Sequence, residues 1–313
     1  MKYRFHTAAE LMEILHTEHL ALEEYALKRE AFIWGIPEKA VQDELDRRIA
    51  VTRRSLIKGL AAPQRSRSGL TQGAAVSYYG AARRFMHSRL FRRAASYALS
   101  INEVNACGGK IVAFPTAGSC GIAPGAIWAW WDTCQGDTEA ETAVPPPGIP
   151  EMIEPPYDPK LRGAFLVSSL TGVLIAQGAT LAGAEGGCQA ECGGAGAMAA
   201  CALGYLEALP TEDCFSAAAL SLKNTLGLAC DPVAGLVEIP CVKRNAFIAV
   251  NALLAVDLTL SGIRSAIPFD EVVLAMKQIG DAMPAGIRET AAGGLAVTPT
   301  ALAVKEKLDA SAD

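Results

Sequence analysis

Apolar positions recur at helical spacing from near the start of the chain. Leu11, Ile14 and Leu15 form one face behind Thr7 and Glu10, whose spacing is that of a capping box, so a helix is predicted to open at Thr7. A second is predicted after Ile36, with Pro37 in its first turn and Val41, Leu45, Ile49 and Leu56 along one side. Residues 62 to 73, "APQRSRSGLTQG", break the pattern and read as a polar connector. From about residue 94 the chain turns to Ala, Gly and Leu, with little of the β-branched alternation that marks strands. Helices packed closely through small residues fit that composition. "PTEDCFSAAALSLKNTLG" predicts a helix capped at Thr211, with a Phe215/Ala218/Leu222 face and a stop at Gly227. "PFDEVVLAMKQIG" repeats the design between Pro268 and Gly280.

Two stretches depart from this picture. Residues 163 to 184 carry no charge and are long enough to span a bilayer, but Ser168, Ser169, Thr171, Gln177, Thr180 and four glycines make a buried central helix the better reading. Residues 134 to 159 are acidic and proline-rich, the composition of an exposed loop or local insertion. The expected fold class is all-α: a multi-helix domain with Gly- and Pro-rich loops, preceded by amphipathic N-terminal helices. Its boundaries are 1–65 for the N-terminal helical segment and 66–313 for the main domain, or one continuous domain.

Composition narrows the function. A chain of 313 residues with 51% hydrophobic content can bury a substantial core. The formal charge of -5 is interspersed, and the local basic run "RRIAVTRRSLIKG" lies on the polar face of a helical pattern, which argues against nucleic acid as a ligand. The opening residues are charged throughout and lack a signal-peptide pattern, so a cytoplasmic protein with reduced thiols is expected, with no membrane partner. Nine cysteines, an odd number, then suggest metal binding, catalysis or plain burial instead of a disulfide framework.

"GCQAECGGAGAMAAC" puts Cys188, Cys192 and Cys201 close together among residues too small to build a core. No phosphate-binding loop of the G-x-x-x-x-G-K-[ST] type, no H-E-x-x-H and no paired C-x-x-C is present, and "GGAGAM" is weak as a dinucleotide loop. The histidines, His6, His16, His19 and His87, all fall in the first third. Cys230 precedes Asp-Pro and Cys241 follows Pro, so each falls at a break in the helical pattern, where free backbone N–H groups favour an ionised, metal-binding thiol. The Gly- and Pro-rich stretch around Thr116, Ser119 and Cys120 offers backbone amides able to hold a carboxylate.

Three stretches, "NEVNACGGKIVAFPTAGSCGIAPG", "GAEGGCQAECGGAGAMAA" and "LGLACDPVAGLVEIPCVKRNA", together with "GLTQG" and "IRETAAGGLAVTPT", resemble the signature blocks of the iron-sulfur L-serine dehydratases, or L-serine ammonia-lyases. The resemblance covers nearly the whole chain, in order, and is to the catalytic α subunit of the two-subunit form. It implies a 4Fe-4S cluster held by Cys188, Cys230 and Cys241, spaced C-x41-C-x10-C, in the Gly- and Pro-rich loops of the catalytic domain. Three ligands would leave one iron open to act as a Lewis acid in the dehydration of L-serine to pyruvate and ammonia. The base that removes the α-proton is left open among Lys243, Glu191 and Glu185, which lie near ligand cysteines. Thr116, Ser119, Arg244 and Asn245 are the expected substrate-binding residues.

The same resemblance implies a β subunit or a homo-oligomer as partner. Gly178, Ala182 and Gly194 depart from polar residues common in the family, which raises a related hydroxy-amino-acid substrate such as threonine as an alternative. Cys192 stands where an aliphatic residue is common and is read as packing. A pyridoxal-phosphate dehydratase would need a Schiff-base lysine, for which Lys110 is the tempting residue, and the resemblance speaks against it. Outside enzymes, a non-catalytic metal-binding helical subunit is the other reading.

Overall fold

The computed structural model describes residues 3–81, 88–134 and 148–310. Among these the regular elements are helical, and the only β-type pairings are isolated bridges, Arg65 with Gln72 and Cys230 with Arg288. The all-α expectation holds. In chain order the α-helices are α1 (Ala8–Glu18), α2 (Leu22–Trp34), α3 (Glu38–Ala61), α4 (Ala74–Tyr79), α5 (Arg89–Ala106), α6 (Ile122–Cys134), α7 (Pro159–Gly178), α8 (Gly183–Gly186), α9 (Gly194–Leu206), α10 (Thr211–Lys223), α11 (Cys241–Leu260), α12 (Phe269–Ala282) and α13 (Pro299–Asp309). A π-helical turn, Gln189–Gly193, leads directly into α9.

The front of the chain forms three helices where the spacing predicted two. Thr7 Oγ1 accepts from Glu10 N at 3.1 Å as a cap should, while the Glu10 carboxylate returns to His6 N at 2.7 Å. His19, in the left-handed region at φ 52°, ends α1 and lets α2 begin as a separate element. Asp270 of α12 accepts from Ala8 N and Ala9 N at 2.7 and 3.1 Å, placing a carboxylate at the positive end of α1. Pro37 caps α3, with Ile49 and Leu56 buried as expected. In α10 the cap is Pro210, one residue before the predicted Thr211, and Phe215, Ala218 and Leu222 are buried. Gly280 does not stop α12; it lies inside the last turn, where an added Cβ would come within 3.0 Å of Gly186 Cα.

At the centre, α9 packs against α6, α7, α10 and α11, and α5 packs against α3, α4, α6 and α11. Small residues set these distances. A Cβ on Gly125 of α6 would fall 2.7 Å from Ala98 N of α5, so the two backbones approach as closely as glycine permits. Ala94, Ala98, Ala126, Ala129, Ala195 and Ala199 are fully buried along these contacts. The helix read as buried, α7, is long and apolar enough to cross a bilayer, yet 67% of its most apolar window is buried inside the fold.

One polar anchor ties α3 to α6. Arg53 is buried, donates to Asp132 Oδ2 at 2.7 Å and to Glu151 O at 3.0 and 2.7 Å, and lies 4.5 Å from the centre of the Trp128 ring. The acidic proline-rich stretch read as an exposed loop falls partly outside the described residues; within 148–158 most positions are exposed and Tyr157 is buried.

Candidate active site

Four stretches far apart in sequence meet around a cavity of about 160 Å³, lined by Thr116, Ala117, Gly118, Cys188, Glu191, Cys192, Cys230, Pro232, Val237, Cys241 and Glu289. The first wall is the turn between α5 and α6. Thr116 Oγ1 lies 3.0 Å from Ser119 Oγ, and Gly118 O accepts from both Asn102 Nδ2 and Asn245 Nδ2 at 2.8 Å. Asn245 Oδ1 also accepts from Gly121 N at 3.0 Å, so this buried amide fixes the turn to the first turns of α11.

The second wall begins where α8 ends. Gly187, at φ 72°, reverses the chain, and Cys188 then opens the π turn that carries Glu191 and Cys192. Gln189 holds this turn in register, accepting from Gly227 N and donating to Met276 O, each at 2.9 Å. The third wall runs from Cys230 to Cys241. Cys230 N donates to Ile287 O at 2.9 Å and Cys230 O accepts from Glu289 N at 2.7 Å, a bridge that brings Glu289 to the cavity. Glu238 accepts from Ser66, Thr71 and Ser68 hydroxyls at 2.7, 2.5 and 2.5 Å, so the predicted polar connector grips the loop that leads into Cys241. Cys241 is the first residue of α11.

The thiols interact. The neighbouring Cys192 and Cys230 thiols, and less strongly the Arg244 guanidinium, pull the Cys188 pKa well below the usual thiol value against its burial. Cys230 is pushed the other way by the same contact with Cys188 and by burial. Burial, with the charge of Cys188 second, raises Cys241 to about 12. Burial also raises Glu191 to about 7, the Thr116 hydroxyl opposing and the charges of Cys188 and Glu289 adding to the shift. Glu191, Cys230 and Glu289 offer donor atoms within 4.8 Å of one another, a set suited to a metal ion. A larger cavity of about 280 Å³ lies behind the same turn, lined by Phe114, Phe165, Leu181 and Met198 among others, but it gathers no cluster of thiols and carboxylates. The thiols and carboxylates gather at the smaller one.

Known proteins resemble this chain along most of its length. The family model for "Serine dehydratase alpha chain" matches residues 9–296. The chain is 38% identical over 306 residues to the probable L-serine dehydratase alpha chain of Bacillus subtilis, covering 97% of this chain and 95% of that one. It is 37% identical over 296 residues to the L-serine dehydratase alpha chain of Peptoniphilus asaccharolyticus, with 94% of each covered. L-serine dehydratase 2 of Escherichia coli is 40% identical over 205 residues, which are 64% of this chain and 40% of that protein. The chain belongs to the serine dehydratase alpha-chain family.

Against that membership, the expected site residues of this serine dehydratase alpha-family chain separate into two groups. Cys188, Cys230, Cys241, Glu191 and Thr116 line the thiol cavity. Ser119 is fully buried and supports Thr116 from behind, and Asn245 spends its amide on backbone partners. Arg244 donates to Ala229 O at 2.8 Å, lies 3.9 Å from the Asp231 carboxylate and is not on the cavity wall. Lys243 is exposed on α11, and Glu185 accepts from Thr180 Oγ1 at 2.6 Å and faces a different cavity, with Asp281 and Lys277.

The departures at Gly178, Ala182 and Gly194 are likewise absent from the wall; Gly194 faces Leu181 and Gly178 faces Val273. Glu289 was not foreseen as a site residue. Its signal was the "IRETAAGG" block, to which no role could be attached before the bridge with Cys230 was known. Its φ of 63° is the left-handed region, unfavourable for a residue with a Cβ and a mark of a constrained site.

Proposed function

We propose that this chain is the catalytic alpha chain of an L-serine dehydratase, converting L-serine to pyruvate and ammonia with a 4Fe-4S cluster held by Cys188, Cys230 and Cys241. The observation that carries the reading is the meeting of those thiols, from two separate stretches, on one cavity beside a half-buried carboxylate. The donor set fits the group: three thiols converge, none forms a disulfide, and Arg244 supplies positive charge behind them to offset thiolate charge. When bound, the cluster supplies an open iron as a Lewis acid for the departing hydroxyl.

The remaining work falls to side chains. Of Lys243, Glu191 and Glu185, Glu191 is the one on the wall, and a half-buried carboxylate raised to about 7 is well matched to removing a weakly acidic α-proton near neutral pH. Thr116 lies beside Glu191 on the wall and opposes the rise in its pKa, while Ala117 and Gly118 leave room for the amino acid. Val237 and Pro232 add apolar surface to the cavity wall. Loss of the α-proton and the hydroxyl leaves an enamine, which tautomerises to an imine and hydrolyses to pyruvate and ammonia.

A beta chain is the proposed partner, as the alpha-chain names of the relatives suggest. The outward face of α11 supports it, with Phe247 76% and Leu254 49% exposed. The test is pyruvate release by the anaerobically prepared chain, alone and with its beta chain, from L-serine, L-threonine and D-serine. L-serine is expected to be the preferred substrate and the paired chains the more active form. A single metal ion without sulfide, and no pyruvate from any of the three, would instead favour a mononuclear site at Glu191, Cys230 and Glu289.

A further inference from the structure

Among the described residues the wall of the thiol cavity carries two carboxylates, Glu191 and Glu289, and no lysine or arginine. The reaction proposed above gives Glu191 a task and Glu289 none. Glu289 is exposed where Glu191 is half-buried, and among the described residues its side chain makes no hydrogen bond or ion pair. The fold nonetheless fixes its position. Its N–H donates to Cys230 O at 2.7 Å and its backbone is held at φ 63°, a strained conformation that persists only where the surroundings over-determine it. Gly183 completes the placement. A Cβ there would lie 2.5 Å from Glu191 Oε2 and 3.2 Å from Glu289 Oε2, so both carboxylates turn into the space that this glycine leaves open.

L-serine carries its ammonium on the same carbon that loses the proton. In a reactive pose the base oxygen stands about 3–3.5 Å from that carbon. A group that holds the ammonium stands about 2.8 Å from its nitrogen. Because they address neighbouring substituents of one carbon, two such groups must lie close together without touching. An oxygen of Glu191 and an oxygen of Glu289 meet that requirement, lying within 4.8 Å of each other. A cation held between them also offsets the repulsion of the two negative charges.

We propose that Glu289 is a substrate-binding residue that determines specificity, its carboxylate accepting from the α-ammonium of L-serine while Glu191 addresses the α-proton. This deepens the functional reading above and rests on it. The pair selects an amino acid over the same acid without its amino group, because only the amino acid brings a cation to the two carboxylates.

The test compares KM for L-serine with the competitive inhibition constant of 3-hydroxypropanoate, which is L-serine without its amino group. Both are measured on the anaerobically reconstituted chain paired with its beta chain. Glu289→Gln removes the charge and keeps the length, and Glu289→Asp keeps the charge. Glu289→Gln is expected to retain iron and sulfide, to raise KM about 10–100-fold with a much smaller fall in kcat, and to bind 3-hydroxypropanoate at least as tightly as the wild type. Glu289→Asp is expected to fall between the two in KM. An unchanged KM in Glu289→Gln overturns the inference alone, and so does an equal weakening of substrate and inhibitor, the mark of a merely structural residue. Loss of iron from Glu289→Gln also overturns it and makes Glu289 a metal ligand. A wild type that assembles no cluster and releases no pyruvate overturns the functional reading and this inference with it.

Discussion

The contact between α5 and α6 and the thiol cavity at its edge are built on opposite principles, although the turn at 116–121 belongs to both. In the first, Gly125 and Ala98 bring two helices together with almost no side chain between them, and the residues at that crossing are buried. In the second, loops from four places are held by side-chain hydrogen bonds: Asn245 to the Gly118 backbone, Gln189 to the Gly227 backbone, the hydroxyls of residues 66 to 71 to the Glu238 carboxylate. The core gains from shape and tolerates no added volume. The cavity gathers thiols beside the Glu191 carboxylate, whose partial burial opposes its charged form. Substitutions in one should therefore leave the property of the other intact.

The largest effect expected is at the cavity. Cys230→Ala should reduce pyruvate formation to background and remove the iron, while thermal unfolding stays close to that of the wild-type apo chain; iron analysis and a melting curve check both halves. Glu191→Gln should lower kcat by about 10²–10⁴-fold, the usual worth of a general base, with cluster iron and sulfide unchanged. Equal loss of iron would turn Glu191 into a structural residue.

On the core side the expected losses are in stability. Gly125→Ala inserts a Cβ 2.7 Å from Ala98 N and should cost about 1–3 kcal/mol by denaturant unfolding, while the folded fraction keeps its cluster. Cys201→Ala removes a small buried group and should cost about 1 kcal/mol with no change in the visible absorption band.

How much of this could be read in the sequence follows the same division. The faces of α3 and α10 were legible because Ile49, Leu56, Phe215 and Leu222 declare themselves by spacing within one helix. Even there the break at His19 went unseen, since a left-handed residue other than glycine leaves no pattern. The cluster ligands came from resemblance to a family, not from periodicity.

Glu185 and Glu191 mark the limit most clearly. Each lies three residues from Cys188, one on either side, and nothing in the sequence separates them as bases. The positive φ of Gly187 does: it turns the chain between them, sending Glu191 to the cavity and Glu185 to Thr180 on another surface. Glu289 arrives through a backbone bridge to Cys230, a tertiary event with no local signature.

The central claim is a cluster on three cysteines with one iron left without a protein ligand. The most direct test is the Mössbauer spectrum of the anaerobically reconstituted, iron-57-labelled chain, recorded without and with L-serine. The account predicts about four irons per chain, of which one changes its parameters when L-serine is added. Irons that all remain unchanged by L-serine, or a single iron without sulfide, would contradict it.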